Sequence, residues 1–238
     1  MASIAPKTFV LVHGAWHGGW CWRRVADLLA AKGHKVFTPT LTGLGERSHL
    51  LSKDVNISTH VTDVVNVFKW ERLTDAVLCG HSYGGFVISG VAEQIAPAIS
   101  SIVFLDAFMP DNGDAITDIT APAVIEAIRA AQQKGALGVP PRSAAAFGVN
   151  EKDRAWVDSL TGLQPLGCFT EKIALTGARD RIAKKAYIRA KNYENPGFDK
   201  ALAKLKGNPA WRIYEAPCGH DVMIDMPERL AEILEEVA

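Results

Sequence analysis

Residues 76–91, AVLCGHSYGGFVISGV, constrain this chain more than any other stretch. Ala76, Val77, Leu78 and Cys79 form a short apolar run of the kind that fills a buried parallel strand. Gly80-His81-Ser82-Tyr83-Gly84 follows as Gly-x-Ser-x-Gly, and Phe86, Val87, Ile88 and Val91 then return at the spacing of a helix packed against a sheet. Five residues of this pattern recur by chance, so the strand before and the helix after carry the argument: together they are the context of a nucleophile elbow. The reason is steric. A serine at the tip of so sharp a turn takes a strained backbone conformation, and glycine on either side relieves the crowding against strand and helix. The helix that follows aims its N-terminal amides at the same place.

A support for such an elbow has to be sizeable, and 238 residues suffice for one large α/β domain. The hydrophobic share of 48% and charged share of 22% are ordinary for a globular protein. Lysine plus arginine balances aspartate plus glutamate, 26 against 26. That balance argues against nucleic acid or an anionic membrane as the main partner. No stretch is long and apolar enough to span a bilayer, and no targeting peptide is expected before a first strand that starts within the first ten residues. The four cysteines (Cys21, Cys79, Cys168, Cys218) form no C-x-x-C pair, so buried thiols and a cytoplasmic location are expected.

Along the chain, apolar strands are expected at residues 8–12, 35–37, 76–79 and 102–105, alternating with helices near 20–29, 58–70 and 85–96. The alternation is that of an α/β-hydrolase-like fold class, a mostly parallel sheet with helices on both faces. It breaks at Pro110. Residues 111–170 offer two helices (123–133 and 151–160) and a Gly/Pro stretch, and are expected to form a small helical lid over the strand ends. Residues 1–110 and 171–238 then make the core. The alternation is expected to resume with a strand at 172–175, a helix, a strand at 212–214 and a closing helix from about Pro227 to Val237.

A serine hydroxyl needs a base within hydrogen-bond reach. Of the seven histidines, His220 follows the last expected strand, and loops after parallel strands gather at one sheet edge. His81 points away from its neighbour on a sharp turn, and His13 is expected to hydrogen-bond the loop after the first strand. His17, His34, His49 and His60 are expected at the surface, and His13 and His17 at i, i+4 have no helix or acidic partner that would make a metal site. The base needs a carboxylate in turn. Asp180, after the strand expected at 172–175, is the first choice and gives the chain order Ser, Asp, His; Asp106, closing the strand after the elbow unit, is the alternative. Asp221 is read as structural. Preset donors for a developing oxyanion are expected from the amides of Tyr83 and Ala15.

The segments HGAWHGGWCW, LTGLGERSHL, GHSYGG, VFLDAFMP and GHDVM resemble bacterial carboxylesterases and the plant methylesterase and hydroxynitrile lyase branch of the α/β-hydrolases over essentially the whole chain. The resemblance implies Ser82 as nucleophile, His220 as base, Asp180 as acid, and Ala15 and Tyr83 as the oxyanion hole. The spacing from Asp180 to His220 is longer than in the plant members, a departure from their pattern at the acid. Lyases of this kind carry a threonine after the first histidine and a lysine after the catalytic one. Here those positions are Gly14 and Asp221, and without a cation near leaving cyanide the esterase reading is favoured. The expected substrate is a small or medium ester with an apolar or aromatic portion, taken without cofactor or metal into a pocket walled by Trp16, Phe108, Met109 and Trp156. Hydroxynitrile, lactone or carbon–carbon cleavage by the same residues, or a non-catalytic small-molecule receptor, are the alternatives. A homodimer is compatible with the sequence.

Overall fold

The computed structural model describes residues 5–238. In chain order its elements are β1 (Thr8–Val12), α1 (Arg23–Ala31), β2 (Lys35–Phe37), α2 (Ile57–Trp70), β3 (Ala76–His81), α3 (Gly84–Ile95) and β4 (Ile99–Leu105). There follow α4 (Ile116–Ile119), α5 (Pro122–Gln133), β5 (Gly138–Val139), α6 (Glu151–Leu160), β6 (Gln164–Pro165) and α7 (Gly167–Thr170). The chain closes with β7 (Lys184–Ala190), α8 (Pro196–Leu205), β8 (Trp211–Ala216), α9 (Val222–Asp225) and α10 (Pro227–Glu236).

Six parallel strands form the main sheet in the order β2-β1-β3-β4-β7-β8. The chain winds outward from β1 to β2, then returns past β1 to β3 and continues the other way. Right-handed crossovers therefore put α1 on one face and α2 and α3 on the other. The packing agrees: α2 lies against α3, and α1 against α10. The reversal opens a crevice between the C-terminal ends of β1 and β3, the place where open α/β sheets bind ligands. The loops beginning at His13 and Ser82 face each other there. Every residue of β3 is buried, as its unbroken apolar run requires.

Local chemistry sets the helix starts. Asn56 caps α2 by accepting a hydrogen bond from the Thr59 amide at 3.0 Å, while the Thr59 hydroxyl reaches back to the Asn56 amide. Asn56→Ala should therefore lower the unfolding free energy by about 1 kcal/mol, read from the denaturant midpoint.

One expectation fails after residue 170. Residues 172–175 are not a strand: Ile173 exchanges backbone hydrogen bonds with Gly113 and Asp114 outside the sheet. The strand is β7, KKAYIRA, and the expected helix follows it as α8. Its two buried basic residues hid it, because a buried strand should read as a continuous apolar run. Lys185 stays inside by donating to the carbonyls of Asp180 and Ile182, and Arg189 by pairing with carboxylates.

Residues 111–170 contain α5 and α6 where helices were expected, and also a small antiparallel pair, β5 with β6, that the sequence did not suggest.

Candidate active site

Ser82 sits at the tip between β3 and α3 with a φ of +55°, in the left-handed region that a non-glycine residue enters only under constraint. Its backbone supplies the constraint. The Ser82 amide donates to Leu105 O at 3.1 Å, and its carbonyl accepts from Gly85 and Phe108. A Cβ on Gly80 would come within 2.6 Å of Gly84 O, and one on Gly84 within 3.0 Å of His13 O. Both glycines of the motif are thus required by close approach, as the pattern predicts.

The loop after β1 is held by its own histidine. His13 donates from Nδ1 to Gly14 O at 2.8 Å and accepts the Leu41 amide on Nε2 at 3.0 Å. Burial pushes its pKa down to about 3, so the ring stays neutral and the tautomer is fixed. With the Gly14 carbonyl turned toward His13, the trans Gly14–Ala15 peptide points the Ala15 amide the other way. Among the described residues, neither the Ala15 nor the Tyr83 amide donates to a protein acceptor. Both residues border the same cavity as Ser82, so two unpaired N–H donors stand beside the serine.

His220 borders that cavity as well. Its amide donates to Phe147 O at 2.8 Å, and its ring lies between aromatic neighbours, stacked on Tyr193 at 4.5 Å and on Phe198 at 5.4 Å. His81, beside Ser82 in sequence, donates from Nε2 to His220 O at 3.1 Å and so ties the elbow to the last loop.

The carboxylate that meets His220 is Asp106. Its Oδ2 lies 2.6 Å from His220 Nδ1, and its Oδ1 accepts from Arg189 Nη1 at 2.6 Å and from the Ala190 amide at 3.0 Å. Asp106 is fully buried, so all of its partners come from the protein. Asp180 does not reach His220. It is exposed, in a 3₁₀ turn (Ala178–Arg181) that precedes β7 and so lies at the opposite edge of the sheet. Mistaking 172–175 for the strand put it at the wrong end.

The cavity holds about 450 Å³, a volume suited to a small organic molecule. Trp16 and Phe108 line it as expected; Met109 and Trp156 do not. Met109 faces a neighbouring cleft, and Trp156 packs edge-on against Trp20 under the Arg24 guanidinium. The walls that sequence reading missed are Phe147, Phe169, Tyr193 and Phe198, with Thr120, Val124 and Ala127 from the 111–170 segment. Val124 and Ala127 fall at i, i+3 on α5, a helical spacing that could have been read. At the rim Arg142 donates to the Tyr193 hydroxyl at 3.2 Å.

Three histidines expected at the surface are buried: His17, His34 and His60. His60 accepts or donates between the Tyr83 hydroxyl at 2.9 Å and Thr42 O at 2.8 Å. Since Thr42 O only accepts, Nε2 carries the proton and Nδ1 receives the tyrosine's. Among the described residues, the group closest to a metal-ligand set is His81, His220 and Asp221, with donor atoms within 4.8 Å of one another. His81 Nε2 already gives its proton to His220 O and His220 Nδ1 faces Asp106, so one nitrogen of each ring is engaged within the protein, while among the described residues His81 Nδ1 and Asp221 Oδ1 have no hydrogen-bond partner.

The model of the alpha/beta hydrolase family matches residues 9–233. Among curated proteins, the chain is 42% identical to a carbendazim hydrolyzing esterase of Nocardioides sp. (strain SG-4G), over 95% of this chain and 97% of that protein. It is 27% identical to Methylesterase 10 of Arabidopsis thaliana, over 97% and 91%. Among solved structures, an extracellular alpha/beta-hydrolase from a Paenibacillus species superimposes with a TM-score of 0.85 at 25% identity, covering 98% of this chain and 99% of that one.

Proposed function

The chain belongs to the alpha/beta hydrolase family, and from that premise we propose that it is a serine carboxylesterase with Ser82 as nucleophile, His220 as base and Asp106 as the acid. The observation that carries this reading is the 2.6 Å contact between His220 Nδ1 and the buried Asp106 carboxylate. An acceptor-only carboxylate on Nδ1 fixes that nitrogen as the protonated one and leaves Nε2 as the free base.

His220 Nε2 takes the Ser82 proton as Oγ attacks the ester carbonyl carbon. The carbonyl π pair moves onto oxygen, where the Ala15 and Tyr83 amides stabilise the charge. Collapse of this intermediate breaks the bond to the alkoxy oxygen, which leaves as alcohol with the proton from His220. Water, deprotonated by the same nitrogen, then attacks the acyl-enzyme and frees the carboxylic acid. The Asp106 carboxylate holds His220 and stabilises the imidazolium of each step.

The aromatic walls favour esters with an apolar or aromatic portion, and residues 111–170 act as the lid that keeps water from the acyl-enzyme. Hydroxynitrile cleavage is disfavoured because the residue after His220 is the anion Asp221, which offers no cation to a leaving cyanide. Four buried free thiols fit a reducing compartment, and we place the enzyme in the cytoplasm. Among the described residues, no helix is long and apolar enough to cross a membrane.

The test is covalent trapping. An aryl phosphonate should add one equivalent to the protein, and peptide mapping should find it on Ser82. Hydrolysis of p-nitrophenyl acetate and butyrate, and of carbendazim (which the Nocardioides relative is named for hydrolysing), should be lost in step with labelling. Labelling elsewhere, or turnover that survives full modification, refutes the reading.

A further inference from the structure

Behind the cavity, out of contact with any substrate, His17 bridges two loops. Its Nδ1 lies 2.8 Å from Ala15 O and its Nε2 3.2 Å from Asp221 Oδ2. A carbonyl oxygen only accepts, and so does a carboxylate, so a ring bonded to both must carry a proton on each nitrogen. We propose that His17 is a buried imidazolium that positions the oxyanion loop, tying the Ala15–Trp16 peptide to the loop that carries His220.

The surroundings agree. His17 and Asp221 are both buried, their side chains 2% and 0% exposed. Around His17 stand Trp20, stacked at 5.3 Å, and Phe147, tilted at 5.9 Å. The titratable groups that face the pair are His13, His81, His220, Cys21 and Cys218. Burial keeps His13 and His81 uncharged and holds the Cys21 and Cys218 thiols protonated. Burial also opposes a charge on His17, but the Asp221 carboxylate more than offsets it and the ring's pKa is raised. Burial likewise opposes the Asp221 anion, and His17 more than offsets that, holding the carboxyl well below its usual range. The shared proton therefore sits on the ring. A raised histidine pKa keeps the tie at acidic and neutral pH and loses it as pH climbs through the raised value.

The tie acts on the peptide next to the one that aims the Ala15 amide. Ala15 O is held by His17, while the Trp16 amide donates to Gln164 Oε1 at 2.9 Å. Trp16 takes a φ of +67°, a conformation that such fixed partners maintain. His17 thus sets where the Ala15 donor stands relative to His220. This inference rests on the esterase reading for its kinetic part only.

Two measurements test it. In ¹⁵N-histidine-labelled protein, the His17 signals, assigned by their absence in His17→Gln, should show both ring nitrogens protonated at neutral pH. In Asp221→Asn the amide can turn its N–H to Nε2, so the ring should become a neutral Nδ1–H tautomer with the loops still tied. For ester hydrolysis, His17→Gln and Asp221→Ala should lower kcat by about 10- to 100-fold with KM within about twofold, and Asp221→Asn should recover most of the loss. Should His17→Gln fail to fold, the Asp221 pair decides. A neutral His17 in the wild type, or a kcat within about twofold of wild type in Asp221→Ala, overturns the proposal. The NMR readout needs no turnover, so failure of the esterase reading would be seen separately, as hydrolysis that does not depend on Ser82.

Discussion

Replacing Asp106 with asparagine should cut kcat/KM for a p-nitrophenyl ester by about 10³- to 10⁴-fold, while Asp180→Asn leaves it within about twofold. The change at Asp106 is isosteric, and asparagine tolerates the φ of +42° found there as readily as aspartate does. Arg189 Nη1 and the Ala190 amide both reach Oδ1, so they would keep the amide oxygen on their side. The amide nitrogen then replaces Oδ2 and faces His220 Nδ1. A donor there forces the ring into the Nε2–H tautomer, which cannot accept the Ser82 proton. The imidazolium also loses the charge that stabilises it. Arg189 keeps its second carboxylate, Asp199 at 2.8 Å, so the fold should survive. A thermal melt separates this loss of chemistry from a loss of structure. Equal losses at Asp106 and Asp180, or none at Asp106, would contradict the arrangement.

The confusion between those two aspartates shows where the chain was legible. The elbow could be read because each feature has a local cause: an unbroken apolar strand, two glycines forced by backbone contact, and a helix that starts within two residues. His220 could be read from topology alone, since loops after parallel strands collect on one edge. The acid could not, because its position depended on identifying β7. That strand carries Lys185 and Arg189 inward, and nothing local announces that backbone carbonyls and Asp106 will receive them. Once KKAYIRA is known to be a strand, Asp180 is excluded, because it falls before it. Glu194, in the loop after β7, and Asp106, at the end of the neighbouring β4, both remain at the right edge. The contact with His220 Nδ1 at 2.6 Å selects Asp106. The buried His17–Asp221 pair was illegible for a related reason: a histidine in a glycine-rich loop reads as solvated until a carboxylate 204 residues away is folded against it.

Ser82→Ala carries the largest expected effect, a loss in kcat of about 10⁴-fold or more with KM changed far less. The hydroxyl is the bond-forming atom; among the described residues that line the cavity the other serine, threonine or cysteine is Thr120, which lies in the 111–170 segment and not on the elbow, and the buried Cys168 thiol has its pKa pushed up to about 12 and stays protonated. The backbone bonds that hold the turn come from the Ser82 amide and carbonyl, which alanine retains. Alanine at a φ of +55° is strained about as much as serine is, so the melting temperature should move little. What remains is a cavity with two amide donors, the hydrogen-bonded His220–Asp106 pair and no nucleophile. Such a variant should still bind ester and product, and any residual hydrolysis should come from water activated by His220. Phosphonate labelling should vanish with it. Retention of both labelling and turnover in Ser82→Ala would mean that the nucleophile lies elsewhere, and that the strained turn serves only the packing of α3 on the sheet.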